Sequence, residues 1–159
     1  MVATLGGELN TYLWLKLIHV VAAIVAVGTN ITYFVWLSMA RREPRPDASV
    51  VRGIRALDAR LANPAYVVLP ITGVLMVLDG DIGFTTFWIA TAIGLYVAVG
   101  VIAGLLFGPS LRRQVALAES GDVAPGAYAA AVKRTTTTGL ITMVPIAAIL
   151  FLMVMKPTP

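Results

Sequence analysis

The feature that most limits how this chain can fold is a long apolar run near its start. From Leu17 to Ala40 the sequence has no acidic or basic side chain other than the titratable imidazole of His19. A helix of about 20 apolar residues crosses the hydrocarbon core of a bilayer. Only 13% of the residues are charged, against about 25% in an average soluble domain. The run is therefore predicted to be a membrane-spanning helix.

Three further apolar runs follow the first, so the sequence predicts an all-α fold. We expect a four-helix transmembrane bundle, formed by residues 1–159 as a single membrane domain. The predicted helices cover about residues 11–40, 64–78, 85–107 and 135–155. Pro64 is predicted to be the first residue of the second helix, with Asn63 as its N-cap. Pro109 is predicted to end the third helix.

Two polar segments, residues 41–62 and 110–134, hold ten of the twelve lysines and arginines. Basic residues concentrate on the cytoplasmic side of membrane proteins, so we expect both segments in the cytoplasm and both termini outside. Each is predicted to form short amphipathic helices; in the first, Val51 and Ile54 lie on the apolar side, opposite Arg52.

The expected location is the inner (plasma) membrane of a bacterium. The predicted partners are the lipid bilayer and either further copies of the chain or a larger membrane complex. The net charge of +4 comes from residues that flank apolar runs, so nucleic acid is not an expected partner.

The only histidine of the chain lies on a stripe of polar and small residues along the first span. Residues three or four apart share a face of a helix. On this face lie Lys16, His19, Ala23, Ala26, Asn30 and Tyr33. Such a stripe is expected to face other helices while the remaining surface faces lipid. Asn30 and Tyr33 are interpreted as groups that form hydrogen bonds between helices.

Two interpretations of His19 are open from the residues themselves. Ionisable groups inside a span are costly and are often functional, and a neutral imidazole can bind haem iron or relay protons. The alternative is a histidine near the outer interface that bonds a neighbouring helix or water. Lys16, one turn earlier, could pair with a haem propionate, or it could extend to the lipid headgroups.

The residue inventory limits what else the chain could bind. There is no cysteine and no second histidine, so a metal site built from side chains alone is not expected. Haem bound at His19 would have a methionine sulfur as its second axial ligand, or His19 of another copy, or an open site. The candidate methionines are Met76, Met143, Met153 and Met155. No nucleophile–base set or nucleotide fingerprint is present, so no catalytic residue is assigned.

The pattern Lys16-x-x-His19, with Gly28 nine residues later, resembles a bacterial membrane superfamily. The resemblance continues through LDARLANPAYVVLPITGVLMVL and the final VMKP. The superfamily includes HemJ-type protoporphyrinogen oxidases, CopD-type copper-resistance membrane proteins, and a related family of predicted integral membrane proteins of unknown function. The likeness is greatest to the last family. The resemblance implies haem b bound at His19.

The sequence thus leaves two functions. The first is a haem-b-associated redox membrane protein, with His19 as the axial ligand of the haem iron and Lys16 near a propionate. The second is a non-enzymatic accessory or scaffold subunit of a membrane complex. It would use the glycine ridge Gly100, Gly104 and Gly108 of the third span, since small residues four apart let another helix approach closely.

Overall fold

The computed structural model of the protein describes residues 2–40, 48–120 and 126–158, and all regular elements among them are helical. The helices are α1 (Val2–Ala40), α2 (Ala48–Leu57), α3 (Asn63–Asp79), α4 (Phe87–Ile102), α5 (Gly108–Ser120) and α6 (Ala127–Met155). Two π-helical turns connect them: Asp58–Ala62 joins α2 to α3, and Ala103–Phe107 joins α4 to α5. Parts of both predicted cytoplasmic segments, residues 41–47 and 121–125, lie outside the described residues.

Four helical stretches are long and apolar enough to cross a membrane. They are Thr11–Leu37, Ser49–Asp79, Phe87–Ser120 and Ala127–Met155. Large apolar side chains project outward along them: Leu105 is 70% exposed, Val144 72% and Val154 78%. Water would disfavour so much exposed hydrocarbon, whereas lipid does not. The prediction of an all-α protein with four membrane-spanning helices is confirmed; the orientation of its ends and loops stays a prediction.

The helices extend further than the apolar runs alone predicted. α1 begins at Val2 rather than near residue 11. α6 begins at Ala127 rather than near residue 135, directly after Gly126, whose φ of 86° lies in the left-handed region that glycine adopts readily. The short helices expected between the spans are therefore continuous with the spans themselves.

Both π turns precede an X-Pro pair. Asn63 donates its N–H to the carbonyl of Asp58, and Gly108 donates to that of Ala103, in each case five residues back. A proline ring clashes with the carbonyl four residues before it, and the wider π turn accommodates the ring without ending the helix. Two predictions are therefore wrong: Asn63 is a helical residue rather than an N-cap, and Pro109 does not end its helix.

The chain divides into two compact units, each described by itself. The first consists of Met1–Ile31 and Leu57–Thr86, and the second of Thr32–Ala56 and Phe87–Pro159. The first unit thus contains most of α1 together with α3. The prediction of a single membrane domain stays a prediction.

In the second unit, α2 buries one face and exposes the other. Val51 and Ile54 are fully buried, which confirms their predicted place on the apolar side. On the opposite side, Arg52 Nη1 lies 3.8 Å from Glu119 Oε1 of α5, with both side chains about half exposed. An exposed ion pair of this kind contributes at most about 1 kcal/mol, so the apolar side chains of α2 supply most of its attachment.

The start of α4 and the end of α6 meet in the same unit. The ammonium group of Lys156, just after α6, lies 5.4 Å from the centre of the Trp88 ring near the start of α4. This is a cation–π distance. The start of α4 and the end of α6 therefore lie at the same end of the second unit, as expected for two antiparallel spans.

Candidate functional site

Small side chains bring α1 and α3 together in the first unit. Ala22 and Ala26 of α1 and Ala65 of α3 are buried, and small residues at a contact let two backbones approach closely in a membrane. Around them pack the partly buried Val25, Tyr66, Val68 and Leu69. The side chains above and below this contact are held at a fixed distance from the facing helix.

His19 lies at one end of the α1–α3 contact and forms a hydrogen bond across it. Its Nδ1 is 2.9 Å from Oγ1 of Thr72 on α3. The Thr72 hydroxyl lies 2.8 Å from the carbonyl oxygen of Val68 and 3.1 Å from that of Leu69, and it donates to them.

The Thr72 hydroxyl has a single proton, and its two short distances to backbone carbonyls direct that proton toward its own helix. In the tautomer of the half-buried imidazole that suits this arrangement, Nδ1–H donates to the hydroxyl and the lone pair is on Nε2.

Gly73 lies directly against the imidazole. A Cβ atom at this position would come within 3.4 Å of Cε1 and 3.8 Å of Nδ1 of His19. Both are ordinary van der Waals distances, so the ring lies alongside Gly73 with room for one methyl group. Thr72 bonds the polar edge of the ring, and Gly73 borders its side.

The other predicted residues of the stripe have different surroundings. Lys16 is exposed and forms no ion pair with any carboxylate that the structure describes. Asn30 Nδ2 donates to the hydroxyl of Tyr66 on α3, which confirms its predicted role between helices. Tyr33 belongs to the second unit, where it is buried and its ring stacks on Phe107 at 6.3 Å.

The predicted second ligands divide between the two units. Met76 lies in the same unit as His19, one turn beyond Thr72 on α3, whereas the other three candidate methionines belong to the second unit. Within the described residues, no group of three or more histidine, aspartate or glutamate side chains could hold a metal ion.

Sequence reasoning missed the three residues of α3 that define the site: Thr72, Gly73 and Tyr66. Thr72 carried a usable signal, because it is a polar residue inside an apolar span and follows Pro70 by two positions. Gly73 and Tyr66 carried none, since their roles depend on which helix faces α1.

Four spans with lipid-facing hydrocarbon surfaces define a multi-pass integral membrane protein. The chain matches, over residues 13–157, the family described as "Predicted integral membrane protein (DUF2269)", and it belongs to that family. Comparison with curated proteins and with solved structures gave no match.

Proposed function

We propose that the protein is a haem-b-associated redox membrane protein in which His19 binds the iron through Nε2. The resemblance of the Lys16–His19 stretch to HemJ-type membrane proteins supports this proposal. The observation that carries it is the hydrogen bond between His19 Nδ1 and Thr72 Oγ1, 2.9 Å long, which leaves Nε2 for the iron when Nδ1 is the donor.

This bond matters because a histidine that binds a metal through one nitrogen nearly always donates its other N–H to a fixed acceptor. The acceptor fixes the ring orientation and raises the basicity of the ligating nitrogen. Thr72 is itself held by the α3 backbone. The same bond also ties α1 to α3, as expected of a structural histidine, so an experiment must separate the two roles.

The residues fit a haem at one axial position. The imidazole is half buried, and the neighbouring α1 surface is apolar, as the porphyrin plane requires. Lys16, exposed one turn before His19, would supply a cation for a propionate. Bound haem would supply one-electron transfer, while the chain binds the group, orients His19 and keeps the site in an apolar environment. Met76 of this chain or His19 of a second copy would be the further ligand.

The direct test is the absorption spectrum of the full chain, purified in detergent from haem-replete cells. A Soret band that persists through size-exclusion chromatography is expected. A colourless preparation that also fails to take up added haemin would overturn the proposal.

The variant Thr72→Val is expected to weaken haem binding without abolishing it. Valine keeps the shape of the side chain but removes the acceptor of the His19 bond, and loss of such a partner typically costs about 10–100-fold in metal affinity. Haemin titration followed at the Soret maximum measures the change.

Thr29→Val is the matched control. Thr29, on α1, is buried like Thr72, and its hydroxyl likewise donates to a backbone carbonyl of its own helix, that of Val25, at 2.6 Å. It should leave haem affinity unchanged. Equal losses in both variants would mean that Thr72 supports only the packing of the helix.

The glycine surface along α4 and the π turn that follows it favours a second candidate, the accessory or scaffold subunit. A Cβ added at Gly94, Gly100 or Gly104 would meet no atom within 4 Å among the described residues. The second unit therefore does not use this ridge for its own packing. Small residues spaced by four are suited to the close approach of another helix in lipid.

The two variants Gly100→Leu and Gly104→Leu test this candidate. Because the chain has no cysteine, a cysteine introduced at Val101 reports crosslinks from this face alone. Both leucine variants should reduce crosslinking to a partner, whereas the same change at Gly28, where an added Cβ would also be unobstructed, should not. Crosslinking that survives both α4 variants would contradict the scaffold function.

A further inference from the structure

The first unit carries an apolar groove whose lining does not include His19. The groove has a volume of about 370 Å³ and is lined by α1 between Leu17 and Val25 and by residues 60–68. Its floor includes the buried Ala22 and Ala65, and its walls include Leu17 and Val21, each about half exposed. Neither His19 nor Lys16 lines it.

Hydrocarbon suits this groove better than water. Nine of its ten lining residues are apolar, and the tenth is Arg60. An ordered water needs two to four polar partners, and the lining has no such cluster. Because the groove is open on a membrane-spanning surface, a lipid acyl chain can lie in it.

Arg60 gives the groove a charged end. It is the first of the lining residues along the α3 side, in the π turn where the helix passes from the basic segment into the apolar span. Its side chain is exposed, and no carboxylate in the described parts of the chain lies within ion-pair distance of it. A guanidinium group binds a phosphate through two parallel N–H donors.

We propose that this groove binds one anionic phospholipid, with the phosphate on Arg60 and an acyl chain along the apolar lining. Charge decides between lipid classes. A zwitterionic headgroup also carries an ammonium group, and the lining offers no acidic side chain to pair with it. In a lipid with net negative charge, the phosphate balances the positive charge of Arg60. No positively charged headgroup is then left without an acidic partner.

Native mass spectrometry of the full chain in detergent, with phosphatidylglycerol or phosphatidylcholine added at equal concentrations, tests the proposal. We expect the protein to retain phosphatidylglycerol preferentially. Arg60→Gln should lower the apparent affinity for phosphatidylglycerol about fivefold, the effect of one basic residue at an anionic membrane surface. The affinity for phosphatidylcholine should change little.

Two further variants keep the test specific. Arg134→Gln removes the same charge from an exposed position on α6 and should leave phosphatidylglycerol binding unchanged. Val21→Trp fills the groove from its exposed wall and should weaken the binding of both lipids. The proposal fails if Arg134→Gln matches Arg60→Gln, if Val21→Trp has no effect, or if water-soluble glycerol phosphate displaces the lipid.

Discussion

Alanine in place of His19 is expected to remove the Soret band of the haem-loaded protein entirely. The chain has no other histidine, so no second imidazole can take over the axial position. The Thr72 hydroxyl would remain bonded to the carbonyls of Val68 and Leu69, so the variant leaves no buried donor unpaired. The spectrum and the haem content of purified His19→Ala, measured as the pyridine haemochrome, check this prediction.

Asn30→Ala is the control that separates haem binding from helix packing. It removes another side-chain hydrogen bond between α1 and α3, the one from Asn30 to Tyr66. Hydrogen bonds between membrane helices contribute about 0.6 kcal/mol on average, so each variant should be similarly and only slightly destabilised. If both lose haem to the same extent, His19 acts through the helix contact and is not the ligand.

Ile54→Ala is expected to produce the largest loss of stability among conservative truncations of the second unit. Ile54 is fully buried on α2, and truncating a buried isoleucine to alanine costs about 2–5 kcal/mol, since a cavity remains. The ion pair between Arg52 and Glu119 on the exposed side is too weak to compensate. Thermal unfolding in detergent should show a clearly lower midpoint for this variant.

Ile141→Ala makes the same truncation on α6, where the side chain is 49% exposed. In detergent or lipid, that side chain is in an apolar environment in both the folded and the unfolded state. Its loss should therefore change the unfolding midpoint little. Equal destabilisation by the two variants would mean that α2 is not anchored by its buried face.

The spans were predictable because one property, the length of uncharged apolar sequence, is sufficient to place a helix in lipid. The stripe on α1 was predictable in part. His19 and Asn30 make the contacts between helices that their spacing predicted. Ala26 and Tyr33 of the stripe are among the most buried side chains of α1, and Leu37 continues their spacing. Ala22 and Thr29 beside the stripe are buried as well, so the contact face is wider than the polar residues alone indicated.

The partners of the stripe could not be read from the sequence. Thr72 and Gly73 lie more than fifty residues from His19, and only the pairing of α1 with α3 brings them to the ring. The sequence also did not indicate that the helices continue through Pro64 and Pro109. The expectation that proline ends a helix is sound for an α-helical turn, whereas a π turn provides space for the ring.

The π turn Ala103–Phe107 also has a consequence for how sequences of this kind diverge. A π turn contains one residue more than the α-helical turn it replaces, and that extra residue is taken up within the one wider turn. Deleting a single residue there would restore an α-helical turn and leave Gly108–Ser120 facing nearly the same way, so Gln114 would stay buried. The same deletion in a regular α-helical turn of α4 would rotate everything after it by about 100°, since each residue of an α-helix turns by that angle. The turn Ala103–Phe107 can therefore lose one residue without changing which face of α5 meets its neighbours.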